Sequence, residues 1–305
     1  MKTNVEKLPK STISLNVVVP SEDVKKAYNN VLEEVVKEAT IPGFRKGMAP
    51  KDRVLESTNV SELYGEVVNE LLQSFYPQAL KEHHITPISN PKVEIKQFDL
   101  EKDFEFTATI ATRPEVIVKD YEGALKKRQE EKENEAAKLQ KETTEKPHVH
   151  LSVDDVIDVL LENSAVEVAD ILIEEETDRM LGRLINQAQA VGLSLEDYLK
   201  AQNKTKEQLR QEYRKVAKRT LDAEFVLSKI VSDRKIEPTD EEVEAAIKAS
   251  GFDNATAIDK IYVKSILAKN TLIEDLIDIA AGHSHRHRHE DSHKEHGHNI
   301  KKEAK

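Results

Sequence analysis

Residues 12–36 read TISLNVVVPSEDVKKAYNNVLEEVV, and a change of period inside this stretch decides the fold class. Ile13, Leu15, Val17 and Val19 alternate with Thr12, Ser14 and Asn16, the twofold period of a half-buried strand. Pro20 ends that run. Ser21 then stands where a helix cap belongs, with Glu22 and Asp23 in the positive first turn. Val24, Ala27, Tyr28, Val31, Leu32, Val35 and Val36 follow at helical spacing and give one apolar stripe. A strand that feeds directly into an amphipathic helix opens an α+β domain.

Working outward, Pro50 is placed to open a short helix ending near Glu56. Ser61 is placed to cap a longer one, to about Glu82, with Leu63, Val67, Leu71, Leu72 and Phe75 on one face. Pro77 is expected to kink that helix or start a new turn. Two more strands read at residues 92–98 and 104–112; in the second, Phe104, Phe106, Ala108 and Ile110 alternate with Glu105, Thr107 and Thr109. Residues 126–146 then carry seven basic and six acidic side chains, which suits a solvated helix or a flexible linker with no core of its own.

After Leu151 the pattern is helical throughout. Ser152 with Asp154 and Asp155 starts one helix, and a second spans about 170–191. Ser194 caps a short one. Thr205 with Gln208, and Thr239 with Glu242, form capping-box pairs for two more. A last helix over about 255–281 carries Ile258, Ile261, Tyr262, Ile266, Leu272, Leu276 and Ile277, and Gly282 stops it. The expected architecture is an α+β N-terminal domain at 1–115, a charged connector at 116–150 and an all-α, elongated domain at 151–282. A His-rich tail expected to be disordered follows at 283–305. The chain as a whole is mostly helical.

Composition narrows the function. Among 305 residues only 5 % are aromatic and 34 % are charged, which favours extended helical surface over one thick core. There is no cysteine, so disulfides, thiolate metal sites and cysteine nucleophiles are excluded. The polar N-terminus has no secretory h-region, and no stretch approaches the ~18 apolar residues of a membrane span; a cytoplasmic location is expected. A net charge of −11 argues against DNA as a partner and confines any RNA contact to a local basic patch. No phosphate loop or dinucleotide loop is present, so no cofactor is expected.

One such patch stands out. In Pro42-Gly43-Phe44-Arg45-Lys46-Gly47 two glycines bracket an aromatic ring and two cations at a tight tip. Arg45 offers a planar fork to carboxylate or phosphate, Lys46 a point charge, and Phe44 an apolar anchor. The alternative is that Phe44 tucks into the core and the cations are ordinary solvated charges; chemistry alone weighs the two equally.

The run from Pro42 to Pro50, PGFRKGMAP, resembles the ribosome-docking motif of the trigger factor family, and it lies between two helices after an N-terminal strand as that family requires. Residues 111–116 (ATRPEV) resemble the end of the family's N-terminal domain. Residues 166–176 (VEVADILIEEE) resemble the start of its helical domain, and 209–214 (LRQEYR) and 239–243 (TDEEV) fit later helices. The resemblance implies an ATP-independent chaperone that docks on the large ribosomal subunit near the exit tunnel through Gly43, Phe44, Arg45, Lys46 and Gly47. It also implies that nascent, unfolded polypeptides are held on a helical cradle. A weak homodimer off the ribosome is a further partner to expect.

The sequence departs from the family in the middle. Trigger factors usually carry a prolyl-isomerase domain there, with strands, glycine turns and an aromatic-lined pocket. Between Tyr121 and Tyr198 this chain has no aromatic residue, and between Gly123 and Gly182 no glycine. No catalytic residues are assigned, and the chain is expected not to be an enzyme, although the family label includes rotamase.

Two rival readings remain: a divergent prolyl isomerase, and a free holdase with a metal-binding tail. His283, His285, His287, His289, His293, His296 and His298 are weak candidates for binding divalent metals, since nothing fixes their geometry. The acidic runs Glu174-Glu175-Glu176 and Glu241-Glu242 read as first-turn helix charges rather than acid–base pairs.

Overall fold

The computed structural model describes residues 1–139, 149–251 and 255–282. They group into two compact units: Met1–Val116 with Val166–Asp222, and Ile117–Ala165 with the chain from Ala223 onward. This division follows contact, whereas boundaries at 115, 150 and 282 follow composition.

In the first unit, β1 (Lys2–Leu8), β2 (Thr12–Val19), β3 (Lys92–Gln97) and β4 (Phe104–Ala111) form one antiparallel sheet in the order β1-β2-β4-β3. Three helices accompany it: α1 (Ser21–Glu38), α2 (Lys51–Ser57) and α3 (Val60–Glu82). The β2–β4 register sets Leu15 opposite Ala108, Val17 opposite Phe106 and Val19 opposite Phe104, so the two alternating apolar rows share one face. Those six side chains are fully buried, and Val24, Ala27 and Val31 of α1 with Leu63, Val67 and Leu71 of α3 close over them. Each large side chain sealed there stabilises the unit by roughly 1.5–3 kcal/mol.

The helix starts differ from the sequence expectation. Ser21 lies inside α1, Pro20 is its N-cap, and no side chain of that cap bonds. The Ser21 N–H instead donates to Asp103 Oδ1 at 3.0 Å, so the β3–β4 turn supplies the negative charge at the helix N-terminus. Likewise Asn59 rather than Ser61 caps α3, accepting from the Ser61 N–H at 3.0 Å. α3 runs on through Pro77 to Glu82. β1 was not expected: it is a polar edge strand whose exposed Lys and Glu side chains carry no apolar alternation.

Beyond β4 the chain forms β5 (Val116–Val118), α4 (Tyr121–Leu139), α5 (Val153–Glu162) and β6 (Ser164–Val166), with β5 and β6 pairing as a two-stranded sheet. β6 interrupts the expected helical run. Then come α6 (Asp170–Ala190), α7 (Leu195–Ala201), α8 (Lys206–Arg234), α9 (Asp240–Ala249) and α10 (Ala257–Ala280). The boundary between the units falls inside α8. Ser152, Ser194, Thr205 and Thr239 cap α5, α7, α8 and α9 as their spacing predicts.

Within the first unit, Lys10 in the β1–β2 turn pairs with Asp170 at 2.7 Å, and Arg214 of α8 reaches Asp170 at 2.9 Å and Glu174 at 3.6 Å. Glu174-Glu175-Glu176 therefore lies in the second turn of α6, not the first, and Glu176 is buried between Arg179 and Arg183. In the second unit, residues 126–139 of the charged run are helical. α4 is not fully solvated: Leu125 and Gln129 are buried, and the helix packs on α5 and α10. Residues 140–146 of that run lie outside the described residues.

Candidate docking site

The loop from Ala39 to Pro50 is built around the end of α1. Ala39 leaves the helix in an extended conformation and accepts a hydrogen bond from the Gly47 N–H at 3.1 Å, which closes the loop at its base. Two tight turns fill it: the Phe44 N–H donates to the Ile41 carbonyl at 3.0 Å, and the Met48 N–H to the Arg45 carbonyl at 2.9 Å. Gly43 and Gly47 take φ of +89° and +76°, in the left-handed region. The demands on them differ. A Cβ on Gly47 would lie 2.8 Å from the Lys37 carbonyl oxygen, whereas one on Gly43 would meet nothing within 4 Å.

Phe44 does not tuck into the core. It is 44 % exposed, and the neighbouring Met48 is 71 % exposed, while Ala49 is the buried anchor of the loop. Lys46 Nζ lies 2.5 Å from Glu38 Oε2, and that hydrogen bond and the ammonium charge hold the Glu38 carboxyl below its usual range. Farther round, Lys51 faces Glu33 at 3.6 Å and Arg53 faces Glu56 at 2.9 Å. Arg45 has neither an ion pair nor a side-chain hydrogen bond among the described residues. The tip therefore presents one unpaired guanidinium beside one exposed ring.

Comparison with known proteins bears directly on this arrangement. Residues 1–146 match the family model described as bacterial trigger factor protein, and residues 118–278 match its C-terminal counterpart. This chain belongs to the trigger factor family. A trigger factor of Bdellovibrio bacteriovorus is 41 % identical over 128 residues, which are 40 % of this chain and 28 % of that relative. One of Desulforamulus reducens is 38 % identical over 123 residues, with the same coverage. The matched stretch thus spans about a quarter of these relatives. A solved structure from work on promiscuous substrate recognition in the folding and assembly activities of the trigger factor chaperone has a TM-score of 0.60 at 14 % identity. It covers 92 % of this chain and 100 % of its own, and shows a shared fold.

A second feature of this chain emerges from exposure. The apolar stripe of α10 divides in two. Leu272, Leu276, Ile279 and Ala280 are buried, whereas Ile258, Ile261 and Tyr262 are 77 %, 71 % and 66 % exposed, and Ile266 is 38 % exposed. Ile258 and Leu276 are five whole turns apart at ~3.6 residues per turn, as are Ile261 and Ile279, so both sets lie on one line along the helix. The first half of α10 is the uncovered continuation of a core stripe. Sequence periodicity picked out Ile258, Ile261, Tyr262, Ile266, Leu272 and Leu276, not Ile279 or Ala280, and did not separate the covered half from the bare one.

Sequence reasoning also missed Glu38. It stands at the end of α1, eight positions before Lys46, and no periodic pattern links a helix-end carboxylate to a loop cation. The seven tail histidines lie outside the described residues. Among those described, no group of three or more His, Asp or Glu is placed to hold a metal ion, and no helix is long and apolar enough to cross a membrane. Glu242 serves its own helix by accepting from the Thr239 N–H at 2.7 Å.

Proposed function

We propose that this protein is a cytoplasmic, ATP-independent chaperone that docks on the large ribosomal subunit and holds emerging polypeptides. The observation that carries the reading is the loop: an exposed Phe44 and an Arg45 unpaired among the described residues, at a tip whose shape two left-handed glycines fix. An exposed aromatic ring is costly in water and stabilising once covered, and a guanidinium fork beside it suits an anionic surface. Membership of the trigger factor family supports a ribosomal partner for that tip.

Clients bind the bare half of α10, where Ile258, Ile261, Tyr262 and Ile266 offer apolar area without a shaped pocket. Such a surface takes many sequences weakly, and tethering at the ribosome raises the local client concentration enough for weak contacts to suffice. Holding an apolar segment there lowers the free concentration that drives aggregation. No nucleotide enters the cycle.

The chain works without prolyl isomerisation. The stretch in which the aromatic gap falls forms α4, α5, β6 and α6 among its described residues, a mostly helical arrangement that supports this reading. Turnover of a proline-containing peptide is expected at the uncatalysed rate; turnover at ordinary enzyme levels overturns this part. The docking reading is tested by ribosome co-sedimentation of wild type and the triple variant Phe44→Ala, Arg45→Ala, Lys46→Ala. Circular dichroism confirms that both are folded. Wild type is expected in the pellet and the variant in the supernatant. A wild type that stays in the supernatant sinks the reading.

A further inference from the structure

We propose that Glu38 is a built-in competitor for Lys46, which keeps that cation neutralised while the loop is free and surrenders it when the loop docks. The inference rests on the docking reading and adds to it a residue outside the docking tip.

The geometry sets Glu38 apart from the other carboxylates of α1. It occupies the last helical position before the loop, and its Oε2 lies 2.5 Å from Lys46 Nζ across the loop base. The Gly47–Ala39 hydrogen bond and the close approach of Gly47 to the Lys37 carbonyl bring Lys46 back over the end of the helix. Both partners are more than half exposed, at 58 % for Lys46 and 77 % for Glu38, so the pair is weak and exchangeable rather than structural. The low titration of Glu38 has the same cause, the hydrogen bond and charge of Lys46.

Two of the three docking side chains, Phe44 and Arg45, are thus ready for a partner, and the third is not. An anionic acceptor must displace the Glu38 carboxylate from Lys46 or share the ammonium with it. Either way the acceptor gains less from Lys46 than from an unpaired lysine. The chain then loses affinity, and it is also restrained from sticking to anionic surfaces that cannot engage Phe44 and Arg45 as well.

The test is a cycle of variants in the full chain, read as ribosome affinity: Glu38→Gln, Lys46→Gln, the double variant, and Glu34→Gln. Glu34 is an exposed α1 glutamate and controls for the loss of one negative charge. Glu38→Gln is expected to tighten binding about two- to fivefold, the range of an exposed ion pair, and Glu34→Gln by less. The gain should vanish in the Lys46→Gln background. Equal gains from Glu38→Gln and Glu34→Gln, or a gain that survives in that background, overturn the proposal. An NMR titration of Glu38 in ribosome-free protein separates the possible failures. A Glu38 that titrates in the usual carboxylate range overturns the competitor idea whatever the ribosome does. A Glu38 that titrates low, in a wild type that never binds ribosomes, sinks the docking reading and takes this proposal with it.

Discussion

Phe44 on the loop after α1 and Tyr262 on α10 are both aromatic rings left in water, yet the chain holds them in different ways. Phe44 sits on a tip whose backbone is dictated by two left-handed glycines, two tight turns and a hydrogen bond at the base. Tyr262 sits on an ordinary helix, in line with residues that are buried five turns later. The first arrangement specifies a shape and tolerates little change. The second specifies only apolarity along a stripe. A fixed partner needs the first kind of surface, and a stream of dissimilar clients needs the second.

The largest expected effect tests whether the two halves of α10 differ as exposure says. Leu272→Ala, at a fully buried position, should destabilise by about 2–5 kcal/mol, because the cavity it leaves adds to the lost transfer energy. Ile261→Ala should change stability by about 0.5 kcal/mol or less, since alanine is the better helix former and the isoleucine is 71 % exposed. Denaturant unfolding reads both. Client holding, read as suppressed aggregation of a denatured substrate, should respond the other way round. Replacing Ile258, Ile261 and Tyr262 with serine should weaken it several-fold at unchanged unfolding midpoint. Equal destabilisation by both α10 substitutions means the first half of the helix is covered, and the client surface lies elsewhere.

The loop is tested by its glycines. Gly47→Ala places a methyl 2.8 Å from the Lys37 carbonyl oxygen, a backbone atom that cannot swing aside, on top of the left-handed φ. A cost of about 1–3 kcal/mol is expected. The displaced tip should lose ribosome affinity on the order of tenfold, equivalent to about 1.4 kcal/mol. Gly43→Ala meets no neighbour and carries only the φ penalty, about 1 kcal/mol. Its ribosome affinity should stay within about threefold of wild type. If both variants bind alike, the shape of the loop base is irrelevant to docking, and the contrast with α10 dissolves.

These tests also show where the sequence was informative. Alternation in β2 and β4 was plain because each strand buries one face against helices, and the capping boxes of α8 and α9 were plain because their partners sit three residues apart. β1 was hidden because an edge strand with Lys2, Glu6 and Lys7 in solvent has no alternation to read. Asp103 at the start of α1 and Glu38 over Lys46 were hidden for a shared reason: each acts on a residue reached only through the fold, 82 and 8 positions away. The loop residues themselves were legible from composition. Whether Phe44 was exposed was not, because burial depends on what lies opposite.

The smallest expected effect concerns α4, the one helix whose composition argued against any packing. Lys132 reaches Asp155 of α5 at 2.5 Å, and the same carboxylate accepts from the Ser152 N–H and hydroxyl at 2.8 and 2.5 Å. Burial pushes the Asp155 carboxyl up, but the bonds from Lys132 and Ser152 outweigh it and hold the group at about 2. An unfolded aspartate titrates near ~3.9. The folded value is the lower of the two, so this tie stabilises fully above about pH 4 and is lost as pH falls towards about 2. Asp155→Asn should therefore lower the melting temperature at neutral pH by about 2–4 °C, the size of one lost cap in a chain this long. The difference from wild type should close as pH falls through that window. A gap that is the same at pH 7 and pH 2 means the carboxylate is not charged against Lys132, and the acid- and lysine-rich α4 is then held by its other contacts with α5 and α10. A gap that closes shows that the charged run supplies polar ties which composition, blind to partners, reads as mere solvation.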